Sequence, residues 1–267
     1  MKWKAAAVCA GVLALPIALI APGHATKEQK KTFSGRNYAH RGLHTEDRSI
    51  PENSIKAFRL AAQNGYGIEL DVRLTKDGQV VVFHDDDLKR VCGVEKRVDE
   101  LTFEELQQLR LYGTEEKIPL FTEVLKTVDA KVPLIVEVKP GKKNRELCEK
   151  TEAILSAYSG DACIESFDPF IVGWFRIHAK DRVRGQLAMP KKEYKLSKIQ
   201  NFALGYGLFN VIGRPQFMAY KIGPRPLSVR LSERLGAMAI GWTSHDRKNE
   251  KGRDGVIFEY YTPNVRF

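Results

Sequence analysis

The sequence predicts an α/β fold, a (β/α)8 TIM barrel, on three observations. Short runs rich in β-branched and other apolar residues recur along the chain and alternate with segments of helix length, the pattern of parallel strands joined by crossover helices. The runs count to eight when an extra one at 80–83 is assigned as a hairpin extension of the second. The chain has 267 residues, 43% of them hydrophobic and 28% charged, which suits one barrel with a full core and requires no second domain.

At the N-terminus, Lys2 and Lys4 precede an uncharged apolar run over 5–21, and Gly23-His-Ala25 offers small residues for cleavage. Residues 1–25 therefore read as a signal peptide or a retained membrane anchor, and export follows under either reading. Residues 26–37 read as a linker, and the barrel domain as 38–267. The first strand leads into His40-Arg-Gly42. Asn53 is placed as the N-cap of a helix that turns Ile55, Phe58 and Ala62 inward and stops at Gly65.

The second strand lies in Tyr66-Gly-Ile-Glu-Leu-Asp-Val-Arg-Leu, where Glu69 and Asp71, two apart, point to one face. Thr75-Lys-Asp-Gly78 is a turn too short for a parallel crossover, so Val80-Val-Val-Phe83 returns antiparallel. A turn centred between Lys76 and Asp77 sets His84 opposite Glu69. The stretch 85–131 exceeds an ordinary barrel loop. It holds a capping box, Thr102-Phe-Glu-Glu105, and a helical pattern over 121–128. Val132-Pro-Leu-Ile-Val-Glu-Val-Lys139 reads as a buried strand with Glu137 near its carboxyl end, and later strands are expected at 162–166, 183–187, 217–220, 237–242 and 255–259.

In such barrels chemistry sits at the carboxyl ends of the strands. His40-Arg-Gly, Glu69-Leu-Asp71 and His84-Asp85 bring two imidazoles and a carboxylate pair there, equipment for metal-assisted acid/base chemistry on a phosphate ester. Together with Pro51-Glu-Asn, Thr75-Lys-Asp-Gly and Glu137-Val-Lys139, these ordered motifs resemble the glycerophosphodiester phosphodiesterase family, and the resemblance covers most of the chain from about Tyr38. It implies that part of 85–131 is a small insertion over the site, after the hairpin of the second strand. It also implies hydrolysis of glycerophosphodiesters to glycerol 3-phosphate and an alcohol.

On this reading Glu69, Asp71 and Glu137 hold one hard divalent cation, Mg²⁺ or Ca²⁺, and no cysteine or histidine cluster is visible that argues for zinc. Arg41 and Lys139 neutralise the phosphodiester, the first by its fork and the second as a point charge. His40 and His84 divide the proton transfers, in an order left open. Trp242-Thr243 matches the family's late-strand tryptophan and implies an apolar wall against substrate, with a barrel-core aromatic as the alternative. The final strand, Ile257-Phe-Glu-Tyr260, departs from the family's Thr-Asp ending, which leaves that side of the pocket undefined.

Two other functions stay open at this point. One is phospholipase D-like cleavage of lysophospholipids, for which the aromatic and apolar stretch 202–217 would face lipid. The other is an idle barrel that binds phosphodiesters, against which the two histidines argue. Net charge is +10, or +8 without Lys2 and Lys4, favouring an anionic substrate or association with an anionic membrane surface. The basic residues are scattered and form no nucleic-acid module. Cys92, Cys148 and Cys163 are odd in number, lack metal-ligand spacing and read as buried thiols.

Overall fold

Strands that are apolar on both faces must be covered on both, and a closed parallel sheet ringed by helices is the arrangement that does so. A computed structural model describes residues 17–267. Helix α1 (Lys27–Phe33) precedes strand β1 (Arg36–Ala39), helix α2 (Ile55–Gln63), strand β2 (Gly67–Leu74) and its partner β3 (Val80–Val82). Short helices α3 (Lys89–Cys92) and α4 (Phe103–Leu106) come next. They are followed by α5 (Phe121–Val128), β4 (Leu134–Val138), α6 (Asn144–Ser156), β5 (Ala162–Ser166), α7 (Pro169–His178) and β6 (Arg184–Ala188). The chain continues through α8 (Lys198–Gly205), α9 (Asn210–Gly213), β7 (Phe217–Lys221), α10 (Leu227–Arg234), β8 (Met238–Ser244) and β9 (Gly255–Phe258).

Eight parallel strands, in the order β1-β9-β8-β7-β6-β5-β4-β2, close into a barrel through the β1–β2 pairing, and β3 adds antiparallel to β2. This is the expected (β/α)8 barrel. Every residue of β2 and β4 is buried. The main core lies between sheet and helices, where α2 contributes Phe58 and Ala61, and α5 contributes Phe121, Val124, Leu125 and Val128. A second cluster fills the barrel interior with Tyr38, Ile135, Cys163, Phe217, Met238 and Ile257. Large rings there need bare neighbours: a Cβ on Gly67 would lie 2.4 Å from the Tyr38 ring.

Four expectations are corrected. Residues 26–37 are no linker, because α1 is capped by Thr26 and its Phe33 closes the interior cluster, with the Phe33 carbonyl accepting from the Tyr38 hydroxyl at 2.8 Å. Burying a phenylalanine in this way stabilises by about 1.5–3 kcal/mol. Ser54 caps α2, its side chain accepting from the Ala57 amide; Asn53 has φ 53° and turns elsewhere. The β2–β3 register pairs Val72 with Val82, and the Phe83 amide donates to the Asp71 carbonyl, so His84 is one residue away from facing Glu69.

The insertion also ends sooner than expected. Phe83, Leu88, Val91, Val98, Leu106 and Ile118 form a small core of their own with Val81, whereas α5 belongs to the main core. The chain rejoins the barrel where Leu120 bridges Val81.

The expected export segment lies outside the described residues up to residue 16. Its remainder packs on the barrel: Ile20 and Ala25 are buried, the Arg214 guanidinium donates to the carbonyls of Ala18 and Ala21, and the Gly23 amide donates to the Pro215 carbonyl. Among the described residues no helix is long and apolar enough to cross a membrane. Cys148 and Cys163 are buried free thiols, and Cys92 is a half-buried one.

Candidate active site

Parallel register builds the floor of the site. It pairs Asp71 with Glu137 and Glu137 with Glu165, and Glu69 stands two residues before Asp71 on the same strand. Ligand oxygens of Glu69, Asp71 and Glu137 lie within 4.8 Å of one another, and all three residues are buried. Lys139, just beyond β4, threads between them with Nζ 2.7 Å from Glu137 and 3.4 Å from Asp71. The other Asp71 oxygen accepts from the Asn53 side chain at 2.9 Å, which is where the left-handed turn at Asn53 aims that amide. Arg41 donates its backbone amide to Glu69 at 3.1 Å.

Such crowding has an electrostatic signature. Burial, followed by the charges of Asp71, Glu165 and Glu137, raises the Glu69 carboxyl well above its usual range. Glu165 is raised in the same way, by burial and then by Glu137 and Asp71, and its Oε2 has no hydrogen-bond partner. Burial would also raise Asp71, but His84, Lys139, Arg41 and the Asn53 hydrogen bond outweigh it and hold the carboxyl well below normal. Asp71 Oδ1 is buried and makes no hydrogen bond, with the Lys139 ammonium 3.4 Å away. Three converging carboxylates with an orphaned oxygen among them fit a hard divalent cation.

The two histidines stand on either side of this floor. His40 follows β1, and its Nδ1 lies 2.7 Å from Glu259 Oε2 at the end of β9, leaving Nε2 toward Glu69 at 4.0 Å. Burial and the Arg41 charge push the His40 imidazole down to about 4 despite Glu259, so at neutral pH it is uncharged and donates Nδ1–H to the carboxylate. His84 is more open. Its Nδ1 meets Asp85 at 2.6 Å, and its carbonyl accepts two hydrogen bonds from the Arg73 guanidinium.

The insertion ties both flanks together through Arg90. That guanidinium binds Asp85, which holds His84, and Glu52, which holds Arg41 Nη1 at 2.7 Å. Tyr112 of the insertion adds a 3.0 Å hydrogen bond to Glu52. Burial opposes ionisation of Glu52, yet Arg90 and Arg41 draw it down to about 2. Arg41 is therefore not a free fork, since Glu52 takes Nη1 and Asp71 lies 3.5 Å from Nε. Trp242 is half-buried at the end of β8, with its indole donating to the Ala219 carbonyl and its ring against the edge of Phe167.

All eight residues singled out in the sequence thus lie at the carboxyl-end face. Sequence reasoning missed Glu52, which sat unremarked in Pro51-Glu-Asn, and misassigned Asn53 as a cap. It also missed His44, Glu165 and Glu259, and only the departure of the last strand from the family ending marked Glu259.

Known proteins share this sequence pattern and fold. The pattern of the glycerophosphoryl diester phosphodiesterase family matches residues 40–259. YhdW of Bacillus subtilis, provisionally named a glycerophosphodiester phosphodiesterase, is 40% identical over 247 residues, 83% of this chain and 93% of its own. Rat lysophospholipase D GDPD1 is 32% identical over 145 residues, 49% of this chain and 44% of its own. In structure, a phosphodiesterase of Oleispira antarctica, solved with its product sn-glycerol-3-phosphate, superposes with a TM-score of 0.70 at 21% identity, covering 86% of this chain and 94% of that one.

Proposed function

Because the chain belongs to the glycerophosphoryl diester phosphodiesterase family and is a phosphoric diester hydrolase, we propose that it hydrolyses glycerophosphodiesters to glycerol 3-phosphate and an alcohol, using one hard divalent cation and two histidines. The observation that carries this reading is the convergence of Glu69, Asp71 and Glu137 beside Lys139, with an imidazole on each flank. A cation held by those three carboxylates, Mg²⁺ or Ca²⁺, would withdraw charge from a phosphoryl oxygen.

The protein's own groups divide the remaining work. His40, neutral and with Nδ1–H fixed on Glu259, presents Nε2 as the base that takes a proton from the attacking hydroxyl, whether water or a neighbouring glycerol oxygen. His84, on the open flank and oriented by Asp85, protonates the leaving alcohol. Lys139 and Arg41 balance the negative charge of carboxylates and phosphodiester, and Trp242 with Phe167 forms an aromatic wall for the substrate.

The test is release of alcohol and glycerol phosphate from glycerophosphocholine and glycerophosphoethanolamine, with and without chelator, Mg²⁺ or Ca²⁺. Metal-dependent turnover that collapses in His84→Ala supports the reading. Turnover untouched by chelator removes the cation from it.

A second substrate, lysophospholipid at an anionic membrane surface, is favoured by the exposed side chains of three adjacent βα loops. Phe170, Ile199 and Leu227 are 69%, 83% and 63% exposed, and each sits at the start of a helix that follows a strand's carboxyl end. Exposed Lys191, Lys192, Lys195 and Lys198 come just before the middle one in the chain. Cleavage of lysophosphatidylcholine in anionic vesicles that falls in Ile199→Ser, while glycerophosphocholine hydrolysis holds, supports this substrate; equal rates remove it. Export through the N-terminal segment completes the reading. The mass of the exported protein tests it, because a cut after Ala25 would strip residues 17–25 from the surface they pack against.

A further inference from the structure

On the side of His40 away from the carboxylate floor, three imidazoles converge on a single carboxylate. Glu259 Oε2 lies 2.7 Å from His40 Nδ1 and 3.4 Å from His44 Nε2, and Oε1 lies 3.6 Å from His245 Nε2. Donor atoms of His40, His44 and Glu259 all fall within 4.8 Å of one another. His44 is buried, with a side-chain exposure of 5%, and its Nε2 has no hydrogen-bond partner. Tyr260 holds two of the rings in place, edge-on to His44 and stacked on His245.

Three imidazole nitrogens and one carboxylate oxygen are the donor set of a borderline-soft, four-coordinate cation, whereas Mg²⁺ and Ca²⁺ take oxygen. With bonds of about 2.0–2.1 Å, tetrahedral donors stand roughly 3.4 Å apart. His44 already stands at that separation from Oε2 of Glu259, and the His40 contact must open by under ~1 Å; His245 faces the other oxygen, Oε1, and its 58% exposed side chain must swing in as the fourth donor.

We propose that His44, His245, Glu259 and Nδ1 of His40 form a site for Zn²⁺ or a cation of its class, distinct from the carboxylate site, and that its occupation switches hydrolysis off. Neutral imidazole carries one proton. When a metal takes Nδ1, that proton moves to Nε2, the atom facing Glu69, and the ring can no longer accept one there. The His40 to Glu259 hydrogen bond is lost, the four metal–ligand bonds form, and no covalent bond other than that N–H is broken. The switching half rests on His40 as the base of the proposed reaction; the binding half does not.

Zinc titration by calorimetry, on the full chain saturated with Ca²⁺, tests both halves, with Co²⁺ absorption reporting a tetrahedral site. One zinc should bind the wild-type protein. His44→Gln should weaken it at least tenfold, His245→Gln less, and Glu69→Gln should leave it in place. Zinc should inhibit glycerophosphocholine hydrolysis, with a midpoint that moves up in His245→Gln, whose turnover without zinc is unchanged. Binding equal to wild type in both histidine variants, or abolished by Glu69→Gln, overturns the site. Zinc bound through His44 with turnover unaffected overturns the switch and with it His40 as base. A protein that binds zinc as described but hydrolyses none of the diesters would retain the site and lose the proposed reaction.

Discussion

Two flanks of the candidate site, the carboxylate floor and the His40 side, are built by different means. On one flank Glu69, Asp71, Glu137 and Lys139 come from two adjacent strands and the residue just after one of them; alternation puts Glu69 and Asp71 on one face, and parallel register sets Glu137 beside Asp71. On the other, His40 meets Glu259 across 219 residues, because the barrel closes there between β1 and β9. The first flank is crowded with like charge and needs a counter-charge. The second is a neutral imidazole held in one tautomer by an ionised carboxylate. Under the proposed reaction one flank supplies charge and the other proton geometry, so damage to each should read out differently.

The largest effect is expected on the charged flank. Glu69→Gln or Asp71→Ala should abolish calorimetric binding of Mg²⁺ or Ca²⁺ and lower kcat/KM by about 10³ or more, the loss of several kcal/mol of charge stabilisation. Full metal binding in Asp71→Ala would place the cation elsewhere. His40→Ala and His84→Ala should each cost roughly 10² to 10⁴ in kcat while affinity for Mg²⁺ or Ca²⁺ persists, the mark of proton transfer without charge loss.

Glu259→Gln sharpens the contrast. It removes the group that fixes the tautomer, with an expected fall of about 10² in kcat, partial recovery in Glu259→Asp and affinity for Mg²⁺ or Ca²⁺ unchanged. Because Glu259 favours the charged imidazole, its loss lowers His40 further below about 4, and the acid limb of the pH profile should move to lower pH, not higher. Asn53→Ala, which deprives Asp71 of a hydrogen bond, should weaken metal binding by roughly 10- to 100-fold with little change in rate at saturating metal.

The smallest effect is on the stability of the metal-free protein. Glu69 and Glu165 have raised carboxyls, so they bind protons more tightly folded than unfolded, and the stability they contribute is lost as pH rises through their raised values. Asp71, held low, works the opposite way and loses its contribution in acid. Melting temperature without metal should therefore fall from mildly acidic to neutral pH, and Glu165→Gln should flatten the slope. A cation at a hundredfold excess over its Kd should restore about 2.7 kcal/mol. A metal-free protein that melts at one temperature across this range would mean the carboxylates do not repel as their packing implies.

Much of the charged flank was legible because its information is local. Glu69 and Asp71 share a strand face by the alternation of side chains, and Glu137 lies on a strand whose apolar run announces itself. The strands themselves were readable for the same reason: 162–166 was placed as found, and the other late strands shifted by a residue or so. Errors arose where two local signals compete. Ser54 and Asn53 are both good caps, and only the pull of Asp71 decides that Asn53 turns away. A one-residue difference in turn geometry moved His84 off Glu69. The capping box of α4 and the helix at 121–128 were both correct as elements, yet α5 was assigned to the insertion, because an apolar stripe does not say which core it faces.

The barrel, the segment that carries each candidate residue and the carboxylates of the floor are written in the sequence, since periodicity and residue type are properties of short segments. Tertiary contacts alone gather His44, His245 and Glu259 around His40 and let Arg90 join Asp85 to Glu52. Those contacts exist because closing the sheet brings the last strand beside the first and folds the insertion over the rim. A linear chain carries no local signal for residues that meet only when the ends of a barrel are joined.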